Sequence, residues 1–401
     1  MNTRFDGDFL KSERGSNDGE LVGVTGGAVS NSELPFFEEI WIAEESRETD
    51  VAKRFVSLYP NKVRYCAEKP FDLEPTGLTK KEFDASKRKL WIHPFKGQFF
   101  KRCPGAKPNL SCCNYFVLNL GLQCNMNCSY CYLQSYINSP MTEIYSNIDQ
   151  AIDEMRQMSA EYPEYSYRVG TGEIVDSLSL DPLTLYSRKL IEFFRTIPHW
   201  QLEFKTKSDK VDQFLDVEHA GNVIVSWSVN PQYIVQKEEH LTASLTDRLL
   251  AAQKCRVKGF KLAFHIDPMI WFEEWQKAYA ELVAEITGRF TPADIMWITV
   301  GALRFQPEQR HIMRERFGFT SLVSQAEMYL SRDGKMRYDS NLRNEMFQFV
   351  FSEFKKADSN YKVTLCMESR ESWVKTLSGS PSRNPELQSL FKPIPKPNAR
   401  I

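Results

Sequence analysis

Cys124, Cys128 and Cys131 form a C-x3-C-x2-C run directly after the segment Asn119-Leu120-Gly121-Leu122-Gln123. Thiolates spaced this closely on one loop can wrap a cubane iron–sulfur cluster. Each cysteine takes one iron, and the fourth iron, lacking a protein ligand, becomes a reaction site. A zinc site completed by a histidine is the alternative, but zinc loops favour paired C-x2-C spacings and the chain has only six histidines. Of the other cysteines, Cys66, Cys103, Cys112, Cys113 and Cys255 read as small buried thiols. Cys103 and the Cys112-Cys113 pair lack the spacing for a second cluster. Cys366, in Thr364-Leu365-Cys366-Met367-Glu368-Ser369, is either core or a thiol placed to donate a hydrogen atom.

Further along, Gly170-Thr171-Gly172-Glu173 is a turn with a charge. Glycines let a backbone approach a ligand closely, and the Glu173 carboxylate suits an ammonium group through a charge-assisted hydrogen bond. Lys207, Ser228 and Asn230 add a cation and polar groups, although each taken alone is an ordinary solvated strand end.

These residues need a frame, and the apolar pattern after Asn114 supplies one. Short Val-, Ile- and Phe-rich runs predict strands over 115–119, 167–171, 201–206, 222–228, 261–266 and 296–301. Amphipathic segments predict helices over 148–161, 182–194, 245–258 and 272–286. Alternation of this kind implies a parallel α/β sheet, either doubly wound or a partial (βα)6 barrel. In both, ligands bind at the carboxyl ends of the strands, where the cysteine motif, the Gly170–Glu173 turn, Lys207, Ser228 and Asn230 fall. The core is expected over 114–305, after a mobile extension (1–35) and a basic, aromatic region (36–113), and before a C-terminal extension (306–401) ending in a Pro-rich tail.

The 401 residues carry 51 basic and 52 acidic side chains, so no global field draws the chain to nucleic acid or an anionic membrane. Locally, 80–107 holds nine basic residues against two acidic ones, interleaved with Phe83, Trp91, Phe95, Phe99 and Phe100. That mixture suits phosphate contact and base stacking, and equally an ordinary solvated face. No apolar run approaches the roughly 20 residues that cross a bilayer, and no secretion signal is evident, so a cytoplasmic protein with reduced thiols is expected.

The cysteine motif resembles that of the radical S-adenosylmethionine (SAM) superfamily, in which Tyr130 would lie near the adenine and the Gly170–Glu173 turn, with Gly172, would bind the SAM amino group. More specifically, Cys128-Ser129-Tyr130-Cys131-Tyr132-Leu133-Gln134, Thr206-Lys207, Val225-Ser226-Trp227-Ser228-Val229-Asn230, Thr242-Ala243-Ser244 with Arg248, and Arg304-Phe305 resemble the spore photoproduct lyase family. The resemblance covers about half the chain. It implies a barrel of radical SAM type, a [4Fe–4S] cluster, SAM and a reductase such as flavodoxin or ferredoxin. It further implies SAM contacts from Lys207 and Ser228, and a radical-transfer role for Tyr132. One position departs: Gly170 falls where those lyases carry the cysteine that returns a hydrogen atom to the thymine radical. The expected activity is therefore hydrogen abstraction from an organic substrate (small molecule, peptide or nucleic acid) by a lyase-like relative. Thymine-dimer repair proper and a non-catalytic iron–sulfur or zinc protein that binds nucleic acid are the alternatives.

Overall fold

The computed structural model describes residues 35–377 except 72–76, 105–109, 111–114, 137, 140 and 320. The N-terminal extension up to residue 34, Cys112, Cys113, Lys107 and the Pro-rich tail lie outside the described residues.

The six expected strands form as Tyr115–Leu118, Arg168–Gly170, Gln201–Thr206, Val223–Ser228, Lys261–Met269 and Ile295–Ala302, each parallel to the next. In the sheet they lie in chain order. A doubly wound sheet would reverse its order at a switch point; this one never does, and it is the curled partial barrel. Two strands from the flanking regions widen it. Val363–Leu365 adds in parallel beside Ile295–Ala302, and Phe100–Arg102 adds antiparallel beside Tyr115–Leu118. Neither is long enough to display a period in sequence.

Helices Ile148–Glu161 and Leu245–Val257 match expectation closely. The helix expected over 182–194 is instead two, Asp181–Thr184 and Tyr186–Arg195, because Leu185 takes a left-handed backbone with φ 53°. Likewise the helix expected from Phe272 begins at Trp275, after Glu274 at φ 63°. The C-terminal extension carries helices Gln309–Phe317 and Ser340–Ala357 that the sequence pattern hid. In the second, Arg343 and Asn344 are buried with Met346, Phe347 and Val350, which blurs its apolar stripe.

A second sheet precedes the barrel, in the order Val63–Cys66, Glu39–Ala43, Lys89–His93, Thr142–Tyr145, Gly121–Leu122. Its first four strands are parallel and the last pair is antiparallel. Ile40, Ile42, Leu90, Ile92 and Ile144 are buried from it, whereas Trp41 and Trp91 are half-buried on the other face. Two of its strands come from beyond residue 113, so it draws chain from both sides of that position. Within 80–107, Phe83, Phe99 and Phe100 are core residues, while Lys80, Arg88 and Lys96 pair with Asp84, Glu38 and Glu45. Those aromatics offer no stacking surface. No described helix is long and apolar enough to cross a membrane.

Candidate active site

The cysteine loop leaves the carboxyl end of the first barrel strand and is rooted in the second sheet. Gly121 pairs with Ile144 and Leu122 with Glu143, so the excursion from 123 to 141 starts and finishes at one place. Gly121 is demanded there, because a Cβ would stand 2.4 Å from the Glu143 carbonyl oxygen. Gln123 turns the chain with φ 62° and is fully buried. Further on, Asn127–Cys128 pairs antiparallel with Glu239–His240.

Both flanking regions fasten this loop. From the N-terminal side, Lys87 Nζ donates to Gln123 Oε1 (3.1 Å) and to the carbonyls of Cys124 (2.6 Å) and Met126 (2.8 Å). From the C-terminal side, Gln309 Nε2 donates to the carbonyls of Tyr130 (3.2 Å) and Cys131 (3.0 Å). Arg316 holds Gln134, whose amide in turn donates to the carbonyls of Cys128 and Ser129. None of these partners carries a sequence signature, and pattern reading missed all of them.

The thiols are treated differently. Cys128 is buried, and Cys124 and Cys131 are half-buried. Apart from Met126 N–H donating to Cys124 Sγ (3.4 Å), none of the three thiols has a hydrogen-bond partner among the described residues. Burial pushes the Cys124 thiol up to about 12 and raises that of Cys128 too. Buried and half-buried thiols with so few hydrogen bonds suit bound iron, which would supply the missing charge. Among the described residues, no three His, Cys, Asp or Glu groups converge as a single metal ion requires.

Beside the loop, Lys207 Nζ lies 5.5 Å from the centre of the Tyr130 ring. Burial works against its charge, but Cys128 and Glu239 outweigh that and raise its pKa. Glu239 is the hub here. Its carboxylate meets the Tyr130 hydroxyl, Asn230 Nδ2 (3.0 Å) and Arg248 NH1 (2.7 Å), with both charged side chains fully buried. Arg248 also donates to the carbonyls of Ala243 and Ser228 and to Thr242 Oγ1. The Asn230 amide, expected to face a ligand, is held from its other side by the Tyr279 hydroxyl (3.2 Å), so it braces Glu239. Ser228 ends its strand and is buried.

The Gly170–Glu173 turn gives a different reason for its glycines. A Cβ on Gly170 would lie 1.6 Å from the Tyr115 hydroxyl, and one on Gly172 would lie 2.7 Å from the Lys205 carbonyl oxygen. Both are glycine because the protein itself occupies the space. Tyr115 reaches across Gly170 to donate to Glu203 Oε2 (2.6 Å), and His265 Nε2 meets Glu203 Oε1 at 2.8 Å. Burial favours a neutral Glu203, but the His265 contact and the nearby Arg168 prevail and hold it down at about 2. The Glu173 carboxylate accepts from Asn119 Nδ2 (2.9 Å), and its carbonyl accepts from the exposed Tyr132 hydroxyl (2.7 Å).

Cys366 follows the last barrel strand, at the same carboxyl edge. Arg304 NH2 donates to its Sγ at 3.7 Å while the guanidinium is paired with Asp267 at 2.7 and 3.0 Å.

Comparison with known proteins follows this geometry. The family model for spore photoproduct lyase matches residues 103–362. The chain belongs to the spore photoproduct lyase family. It is 30% identical over 210 residues to a spore photoproduct lyase of Geobacillus sp. (strain Y412MC61), covering 52% of this chain and 62% of that one. It is 30% identical over 182 residues to that of Bacillus subtilis (strain 168), covering 45% and 53%. The chain thus spans less than two thirds of these relatives. Among solved structures, a spore photoproduct lyase mutant with bound AdoMet and dinucleoside spore photoproduct superposes with a TM-score of 0.73 at 22% identity, covering 83% of this chain and 99% of that one. The likeness in fold reaches well beyond the stretch matched in sequence.

Proposed function

We propose that this protein is a radical SAM enzyme in which Cys124, Cys128 and Cys131 hold a [4Fe–4S] cluster. The observation that carries the reading is the contrast on one loop: its backbone is tied down from both sides, while the Cys124 thiol accepts one long backbone N–H bond and those of Cys128 and Cys131 have no hydrogen-bond partner among the described residues. Bound there, the cluster would pass one electron to SAM, and the 5′-deoxyadenosyl radical so released would abstract a hydrogen atom from the substrate. This chain's residues do the positioning. Lys207 offers its ammonium to the SAM carboxylate, Glu173 offers its carboxylate to the SAM ammonium, and Ser228 offers a hydroxyl. Tyr130 lends its ring to the adenine, with its hydroxyl fixed on Glu239. Asn230 acts through Glu239 and not by direct contact.

The relatives' names point to a nucleic acid lesion as the substrate class, and we place this chain's substrate there. The hydrogen-return step must differ from a route through a cysteine at 170, because Tyr115 fills that space. Cys366 and Tyr132 are the rim side chains with a transferable hydrogen. A reductase of the flavodoxin or ferredoxin kind would supply the electron. The test is anaerobic reconstitution with iron and sulfide, then reduction with SAM. Wild-type protein should release 5′-deoxyadenosine, and Cys128→Ala should lose both visible cluster absorption and SAM cleavage. A full cluster in that variant would reject the assignment.

A further inference from the structure

Lys87 follows helix Lys80–Ser86 in the segment before the stretch that matches the family model. Its side chain is almost wholly buried, at 6% exposure. A buried ammonium normally pairs with a carboxylate, because an isolated charge is costly to desolvate. Lys87 makes no ion pair with any described carboxylate. Its three donors go instead to Gln123 Oε1 and to the carbonyls of Cys124 and Met126. All three acceptors lie in the cysteine loop, on Cys124 itself, on the residue before it and on the second residue after it. Burial works against its charge and lowers its pKa, while Cys124, Cys131 and Cys128 oppose that lowering and are the groups that offset the charge when they are thiolates.

We propose that Lys87 is a positioning residue that also sets the reduction potential of the cluster, its buried ammonium favouring the reduced state. The argument rests on the cluster reading above. Three thiolates leave a bound cluster with net negative charge, and reduction adds one more. A fixed cation without a carboxylate partner, in surroundings that screen poorly, stabilises the more negative state over the less negative one. The carbonyl bonds hold it there, so the loop's geometry and the cluster's electronics depend on one side chain.

The experiment is an anaerobic redox titration of the reconstituted full-length protein, following the reduced cluster by electron paramagnetic resonance, with iron content measured in parallel. At a fixed solution potential, Lys87→Gln should lower the ratio of reduced to oxidised cluster at least tenfold, equivalent to about 59 mV for a one-electron step. Lys87→Arg, which keeps the charge, should return the ratio to within about threefold of wild type. A Lys87→Gln protein with full iron content and an unchanged ratio overturns the proposal. If that variant does not fold, Lys87→Arg decides. A folded Arg variant with the wild-type ratio supports the role of charge, whereas a lowered ratio, or failure of both variants to retain a cluster, overturns it. Wild-type protein that assembles no [4Fe–4S] cluster would reject the enzyme reading itself, a result distinct from all of these.

Discussion

The carboxyl rim of the barrel and the network set back from it use the same kinds of residue to opposite ends. In the network, Glu203 is shared between Tyr115 and His265, so both its oxygens are bonded within the protein. At the rim, the thiols of Cys128 and Cys131 and the ammonium of Lys207 have no hydrogen-bond partner among the described residues. Burying a polar group without a partner costs stability that folding alone does not return. The network is satisfied within the protein, whereas the rim holds the groups that the proposed function assigns to ligands. The difference also separates two kinds of glycine reading. Gly170 looks like a ligand cradle in sequence, but it serves the network.

The comparison can be broken by removing what scaffolds each side. Arg248→Met should have the largest effect. It removes the ion-pair partner of the buried Glu239, leaving Lys207 as the nearby cation, and should cost about 3–5 kcal/mol, read by thermal or denaturant unfolding. A loss below about 1 kcal/mol would place the pair with ordinary surface bridges.

Next is Glu203→Gln, at about 3 kcal/mol near neutral pH, from the depression of its pKa from 4.5 to about 2. The sign follows from the depression. This stabilisation is present above about pH 4.5 and is lost as pH falls through about 2. His265 is held below its ordinary 6.5 by burial first and by Lys205 second, so its contribution also fades on acidification, starting below about pH 6.5. Wild-type unfolding should thus weaken steadily toward acid, and the variant should show a flatter curve below about pH 4.5. Parallel curves would remove Glu203 from the network.

A smaller loss, about 1–3 kcal/mol from overpacking, is expected for Gly170→Cys, with relief when Tyr115→Ala is added. If the single variant is as stable as wild type and gains thymine-dimer splitting, Tyr115 does not own that space and the network reading of Gly170 falls. The smallest effect belongs to the rim. Glu173→Gln should weaken SAM binding about tenfold, or ~1.4 kcal/mol, in a direct titration, and equal affinities would move Glu173 to the substrate side.

The barrel strands were legible because each is a Val-, Ile- or Phe-rich run bounded by polar turns, and the cysteine loop stood out because three cysteines at that spacing have few other uses than the proposed one. The second sheet was not. Its strands are two to five residues long, and two of them, Gly121–Leu122 and Thr142–Tyr145, flank the cysteine motif in a stretch that reads as loop. The clamps Lys87, Gln309 and Arg316 were also out of reach. Each acts over a long sequence separation, Lys87 and Gln309 chiefly on backbone carbonyls and Arg316 on the Gln134 side chain, and a carbonyl leaves no mark on residue identity. Asn230 shows the reverse failure, since a polar residue at a strand end looks ligand-facing until Glu239 and Tyr279 are seen to claim it.

The order in which the second sheet receives its strands has a consequence for biosynthesis. Strand Lys89–His93 is made early, yet its neighbour Thr142–Tyr145 emerges only after the first barrel strand and the whole cysteine loop. At about 5–20 residues per second, a ribosome leaves that edge bare for roughly several seconds. A bare strand edge is an invitation to wrong partners. The closing strand also pins the far end of the cysteine loop, so protecting the edge and shaping that loop are one event in the life of the nascent chain. An iron–sulfur donor would therefore meet a formed acceptor loop only once that edge is closed.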